Sequence, residues 1–108
     1  MSQALSFSKT IPIKPSLALA QKRAEVSALL ARYRVTNPRV FGSVQRGCDH
    51  EESDLDLLLD AQPGTTLFDL GGLQDELETL LGVTVDLRTP KDLPARFRQQ
   101  VLAEARPL

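Results

Sequence analysis

Asp54 and Asp56 flank Leu55 at the opening of the apolar run that continues through Leu57, Leu58 and Leu59. In a strand, residues two apart project to the same face, with Cα atoms roughly 6.5–7 Å apart. Two like charges that close repel, and burying them without a counter-charge is costly. A divalent cation removes the conflict. Mg²⁺ takes one or two carboxylates and completes its shell with phosphate oxygens and water. The pair therefore points to a Mg–nucleotide site. Asp86 is a third acid in the same setting, between Val85 and Leu87. If its strand neighbours the first, the three acids share a face and can hold two metal ions. Such a pair clamps the attacking and leaving oxygens of a phosphoryl displacement. Asp86 can also accept the proton of an attacking hydroxyl.

Gly42-Ser43 supplies the other half of that chemistry. A glycine lets the backbone approach a phosphate closely. Exposed N–H groups at the turn or helix that follows, with the Ser43 hydroxyl, can bind phosphate oxygens. Arg46 is near enough in sequence to add a positive charge.

These residues need a sheet to hold them, and the rest of the chain is patterned for one. Residues 1–15 contain Pro12 and Pro15, which forbid a continuous helix, and are expected to be extended or disordered, with Ile11 and Ile13 able to dock as a short edge strand. Residues 16–108 are the domain. Ser16 can cap a helix over about 17–34, with Leu19, Val26, Leu29, Leu30 and Tyr33 on one face. Asn37-Pro38 ends that unit as a turn. Residues 39–42 read as a short strand, 43–53 as a loop or short helix turning at Gly47, and 54–60 as a second strand. On that strand Leu55, Leu57 and Leu59 share one face; Asp54, Asp56, Leu58 and Asp60 share the other. A helix over about 67–81 buries Leu67, Leu70, Leu73, Leu77, Leu80 and Leu81, is weakened by Gly71-Gly72, and ends at Gly82. Residues 83–88 form a third strand. Asp92 can cap a last helix over about 93–105, with Pro94 in its first turn. The order helix, strand, strand, helix, strand, helix predicts an α+β fold: a small mixed sheet of α/β type, covered by helices.

Composition narrows the function classes. The chain has 108 residues, enough for one small domain, with 42% hydrophobic and 25% charged residues. Thirteen basic and 14 acidic residues give a net charge of −1, which argues against a dedicated nucleic-acid binder but leaves room for a nucleotide. Cys48 is the only cysteine, so no intrachain disulfide or cysteine zinc cluster can form. No apolar run approaches the roughly 18 residues of a membrane span, and the N-terminus lacks a secretory pattern. The expectation is a soluble cytoplasmic protein.

Gly42-Ser43, ten intervening residues and Asp54-x-Asp56 match the G-S-x10-D-x-D signature of the DNA polymerase β-like nucleotidyltransferase superfamily. The short chain, with Gly82-Val83-Thr84-Val85-Asp86-Leu87-Arg88-Thr89-Pro90, resembles its minimal nucleotidyltransferase (MNT) branch, over roughly residues 25–108. The resemblance implies transfer of a nucleoside monophosphate from an NTP to an acceptor hydroxyl, with release of pyrophosphate. Asp54, Asp56 and Asp86 would be the catalytic acids and ligands of two Mg²⁺; Gly42, Ser43 and Arg46 would hold the triphosphate. Many minimal members are MntA-type antitoxins encoded beside a HEPN-domain RNase toxin, and some adenylylate a toxin tyrosine from ATP. That implies ATP as donor and a HEPN toxin as protein partner; the near-neutral charge and the lack of a long apolar run lead to the expectation of no membrane or direct nucleic-acid contact. One departure is Gln45, where the branch often has alanine in Gly-Ser-x-Ala-Arg-Gly.

Plainer readings stand beside these. Asp54 and Asp56 could be a solvated strand start, Asp86 an exposed strand residue, Ser43 a helix cap and Arg46 a surface charge. His50 reads as solvated, with Asp49, Glu51 and Glu52 an acidic turn, Asp60 a surface residue and Cys48 a spectator. Two further functions compete: a contact-only antitoxin, and transfer to a small molecule. The second usually needs an acceptor domain, for which the chain leaves little room.

Overall fold

The computed structural model describes residues 13–108. The expectations for residues 1–12, including an edge strand at Ile11, lie outside the described residues. Ile13 is half-buried and packs against the core.

Helix α1 spans Pro15–Gln21 and α2 spans Arg23–Ala31. One helix over 17–34 was the expectation; the chain instead breaks at Lys22, with φ −125° and ψ 26°. The Lys22 N–H reaches both Ala18 O and Leu19 O at 3.2 Å, so the ladder tightens before it restarts. Pro15, Ala18 and Leu19 are buried from the first piece and Val26, Leu29 and Leu30 from the second. Ser16 is not the cap. Pro15 takes the first helical position, where its missing N–H costs nothing, and Ser16 N–H donates to Asp49 Oδ2 at 2.8 Å. Asp49 is therefore not a purely solvated residue. Burial pushes its carboxyl up, but the Ser16 donors outweigh that and hold it below the usual range.

Strand β1 spans Val35–Phe41, longer than the four residues expected. Asn37-Pro38 does not end it. The pairing slips between Thr36 and Arg39, with Asn37 at φ 54°, so the dipeptide forms a bulge inside the strand. Asp60 braces the bulge: it accepts from Arg39 Nη2 at 2.7 Å and from Asn37 Nδ2 at 3.2 Å. Gly42 belongs not to the strand but to the short helix α3, Gly42–Arg46, which closes on Gly47 at φ 74°.

Strand β2, Leu55–Ala61, lies between β1 and β3, Val85–Arg88. It pairs antiparallel with β1 and parallel with β3. A parallel neighbour needs a crossover, which helix α4, Leu67–Leu81, provides. Thr66 and Asp69 form a capping box at its start, and Gly82 ends it at φ 71° as expected. Leu73, Leu77 and Leu81 are buried and Leu70 and Leu80 pack at the margin. Leu67 departs from the expected stripe: it is 85% exposed, because the first turn of α4 overhangs the core.

Leu55, Leu57, Leu58 and Leu59 are all fully buried. Leu58, on the acid-bearing face, thus has cover of its own. It and Leu93 are buried outside the main cluster, and the 3-10 turn Pro90–Asp92 lies against β2. Each such leucine contributes roughly 1.5–3 kcal/mol by burial. Asp92 does not cap the last helix. It closes a capping box on Thr89, and helix α5, Ala95–Glu104, starts after Pro94. A two-residue strand β4, Arg106–Pro107, was not foreseen; it pairs with β1, giving the order β3-β2-β1-β4. The fold is a small α+β domain with a four-stranded mixed sheet flanked by helices. Among the described residues no helix is long and apolar enough to cross a membrane.

Candidate active site

The parallel register pairs Asp56 directly with Asp86, and the antiparallel register pairs Asp56 with Phe41. Gly42 follows Phe41, so the sheet delivers the Gly-Ser turn to one side of Asp56 and the third acid to the other. Gly42 has φ +72°, which disfavours any side chain, and a Cβ there would overlap Asp56 Oδ2 and lie 3.0 Å from its Cγ. Both backbone angle and space require glycine. Asp54 is exposed and immediately precedes β2.

The electrostatics centre on Asp56. Burial pushes its carboxyl up to about 6, assisted by the charges of Asp86 and Asp54 and by a hydrogen bond with Asp86; Arg88 opposes the shift. Arg88 was not anticipated. It lies two residues beyond Asp86 on the same strand, so period two places it on the same face. Its Nε donates to Asp86 Oδ1 at 2.9 Å, and that bond pushes the guanidinium pKa up.

Among the described residues, no three Asp, Glu, His or Cys side chains already stand as a metal-holding group. Arg88 holds one oxygen of Asp86, while Asp54 is free in solvent. The donor set nonetheless suits Mg²⁺ with a nucleotide. Two carboxylates from Asp54 and Asp56 match what the ion takes from protein, and the anionic form of Asp56 is disfavoured by burial and by its acidic neighbours more than Arg88 offsets. Asp86 can join when it turns from Arg88.

Ser43 is the second residue of α3, and the N-cap position belongs to Phe41, so the serine is not a cap. Arg46, in the last turn of α3, extends towards α5, where its Nη1 stands 3.8 Å from Glu104 Oε1. Between these helices lies a cleft of about 320 Å³, with Phe41, Gly42 and Arg46 on one side and Phe97, Gln100, Val101 and Glu104 on the other. The α5 residues recur at helical spacing, a signal visible in the sequence, but nothing there says which element the face meets. His50 is exposed, its Nδ1 accepting Glu52 N–H at 3.1 Å, and Cys48 is exposed.

Three acids and a glycine-serine turn thus meet on one small mixed sheet, an arrangement chemically suited to nucleotidyl transfer. Residues 22–108 match the nucleotidyltransferase domain family, and the chain belongs to it. The protein adenylyltransferase MntA of Thermococcus cleftensis is 37% identical over 81 residues, which cover 75% of this chain and 82% of that protein. A solved "putative minimal nucleotidyltransferase" is 47% identical, with a TM-score of 0.77 over 86% of this chain and 95% of that one. A toxin–antitoxin crystal structure with AMP-PNP shares the fold at 23% identity, with a TM-score of 0.67 over 78% of this chain and 69% of that one. The chain is thus an enzyme of the nucleotidyltransferase family, of the minimal type.

Proposed function

We propose that this enzyme is a Mg²⁺-dependent protein adenylyltransferase and an antitoxin. It transfers AMP from ATP to a tyrosine hydroxyl of a cognate HEPN RNase toxin in the cytoplasm. The observation that carries this reading is the placement of Asp56 between Gly42 and Asp86. The adenylyltransferase name of the Thermococcus cleftensis relative and the likeness in fold to a toxin–antitoxin structure with AMP-PNP support it.

Gly42 and Ser43 hold the triphosphate, with Arg46 as an added positive charge at the end of α3. Asp54 and Asp56, joined by Asp86, would hold two Mg²⁺, which would supply charge neutralisation and Lewis-acid polarisation at the α-phosphate. The acceptor oxygen forms a bond to that phosphorus, the bond to the bridging oxygen breaks, and pyrophosphate leaves. Asp86 takes the hydroxyl proton. Positioning and charge neutralisation supply most of the acceleration.

The test is intact mass spectrometry of the protein mixed with its neighbour-encoded partner, Mg²⁺ and ATP. A gain of AMP on the partner, absent with Asp54→Asn/Asp56→Asn, is expected. A stable complex with no gain would make the protein a contact-only antitoxin.

A further inference from the structure

The cleft between α3 and α5 shares a residue with the acid site, since Gly42 both lines it and abuts Asp56. Its chemistry differs from that of the acids. Phe41, Phe97 and Val101 are apolar, and Gln100 offers an amide whose Nε2 donates one hydrogen to Glu104 Oε2 at 3.0 Å, leaving its oxygen and a second hydrogen for a ligand. Its two charges, Arg46 and Glu104, face each other at 3.8 Å and largely cancel. Beyond the Gly42 and Arg46 edge, where the phosphates pass, the cavity carries no free positive charge. Flat apolar walls with one amide suit an uncharged heteroaromatic ring, which stacks on aromatic side chains and presents its edge for hydrogen bonding.

Helix α5 is exposed enough to serve as such a wall. It buries no residue, and Phe97 is 45% exposed with the Arg96 guanidinium 4.8 Å from its ring centroid. Arg98 holds the start of the helix to the turn before it, donating from Nε to Pro90 O at 2.8 Å and from Nη2 to Leu93 O at 3.0 Å. The helix is thus anchored at one end and lies along the cleft with none of its residues buried in the core. A glutamine amide can pair in bidentate fashion with the amino group and ring nitrogen of adenine, a pattern guanine does not offer.

We propose that this cleft holds the adenosine of the donor nucleotide, with Phe97 against the base plane and Gln100 reading the adenine edge. The inference rests on the proposed function, because the phosphates must lie at Asp56 and Ser43 for the nucleoside to reach past Gly42. Glu104, at the end of the same face, is placed for the ribose hydroxyls.

Titration calorimetry with Mg²⁺ and three probes, namely ATP, GTP and inorganic tripolyphosphate, tests it on the full chain. Phe97→Ala should weaken ATP about tenfold and leave tripolyphosphate unchanged. Gln100→Leu should reduce the preference for ATP over GTP by about fivefold or more. Unchanged tripolyphosphate binding also shows that each variant is folded. If both variants bind ATP as the unaltered chain does, while Asp54→Asn/Asp56→Asn loses it, the cleft is not the nucleoside site and the proposed function stands. If the unaltered chain binds neither ATP nor tripolyphosphate, both proposals fall.

Discussion

Asp56 and Asp86 face each other across neighbouring parallel strands, and their carboxyls lie within hydrogen-bonding reach. The negative charge of one such neighbour disfavours the anion of the other, and Asp56 is the one that responds. Burial and this neighbour push Asp56 up to about 6. The ligand-free enzyme thus carries a destabilised anion near neutral pH, a cost that binding of a divalent metal would relieve.

The pH dependence of stability follows. The folded value for Asp56, about 6, lies above its ordinary 3.8, so the folded state binds that proton more tightly. The resulting stability is fully present below the ordinary value and lost as pH rises through about 6. Asp56→Asn should therefore raise the stability of the ligand-free chain at pH 7 by about 1 kcal/mol, after discounting for the solvent that reaches the carboxyl, and by nothing near pH 4. Urea denaturation at the two pH values measures both. The same variant should abolish transfer.

Removing Arg88 should shift the reaction's pH profile. Arg88 pulls the Asp56 carboxyl down and holds Asp86. Arg88→Ala should move the acid limb of the rate profile to higher pH, because Asp56 then keeps its proton longer. A profile that falls uniformly without moving would mean that Arg88 acts only on structure or binding.

Gly42 and Gly47 both have φ above +70°, but only Gly42 faces an obstacle. Gly42→Ala should displace Asp56 and lower kcat at least a hundredfold, on the order of 3 kcal/mol in the barrier. Gly47→Ala meets open space and should cost roughly 1 kcal/mol of stability with transfer retained. Steady-state kinetics and thermal melts on the two variants separate the effects.

Burial divides the leucines in the same way. Leu58→Ala and Leu73→Ala each empty a fully buried site and should cost about 2–5 kcal/mol. Leu67→Ala, in the exposed first turn of α4, should stay within roughly 0.5 kcal/mol. Chemical denaturation of the three variants checks the placement of the core.

What was legible in the sequence follows from local rules. Period two puts Asp54, Asp56 and Asp86 on the strand faces where the register joins the last two, and the left-handed ends at Gly47 and Gly82 occur where glycine stands. What escaped depends on distant partners. Lys22 has no helix-breaking chemistry, and the pieces on either side of it each bury their own residues in the core. Asn37-Pro38 reads locally as a turn, and only the pairing of Thr36 with Asp60 on one side and Arg39 with Leu58 on the other makes it a bulge. Leu67 fits the helical stripe, but the stripe cannot say where the sheet beneath it ends. Arg88 obeys period two and was readable; the cleft beside Phe97 needed the docking of α5.

Labelled ATP tests the central claim most directly. The enzyme and its partner are incubated with Mg²⁺ and ATP carrying phosphorus label at either the α or the γ position. Nucleotidyl transfer through the acid cluster predicts α-label bound covalently to protein, γ-label only in released pyrophosphate, and neither result with Asp54→Asn/Asp56→Asn. Covalent γ-label, or α-label transferred equally well by the double variant, would contradict it.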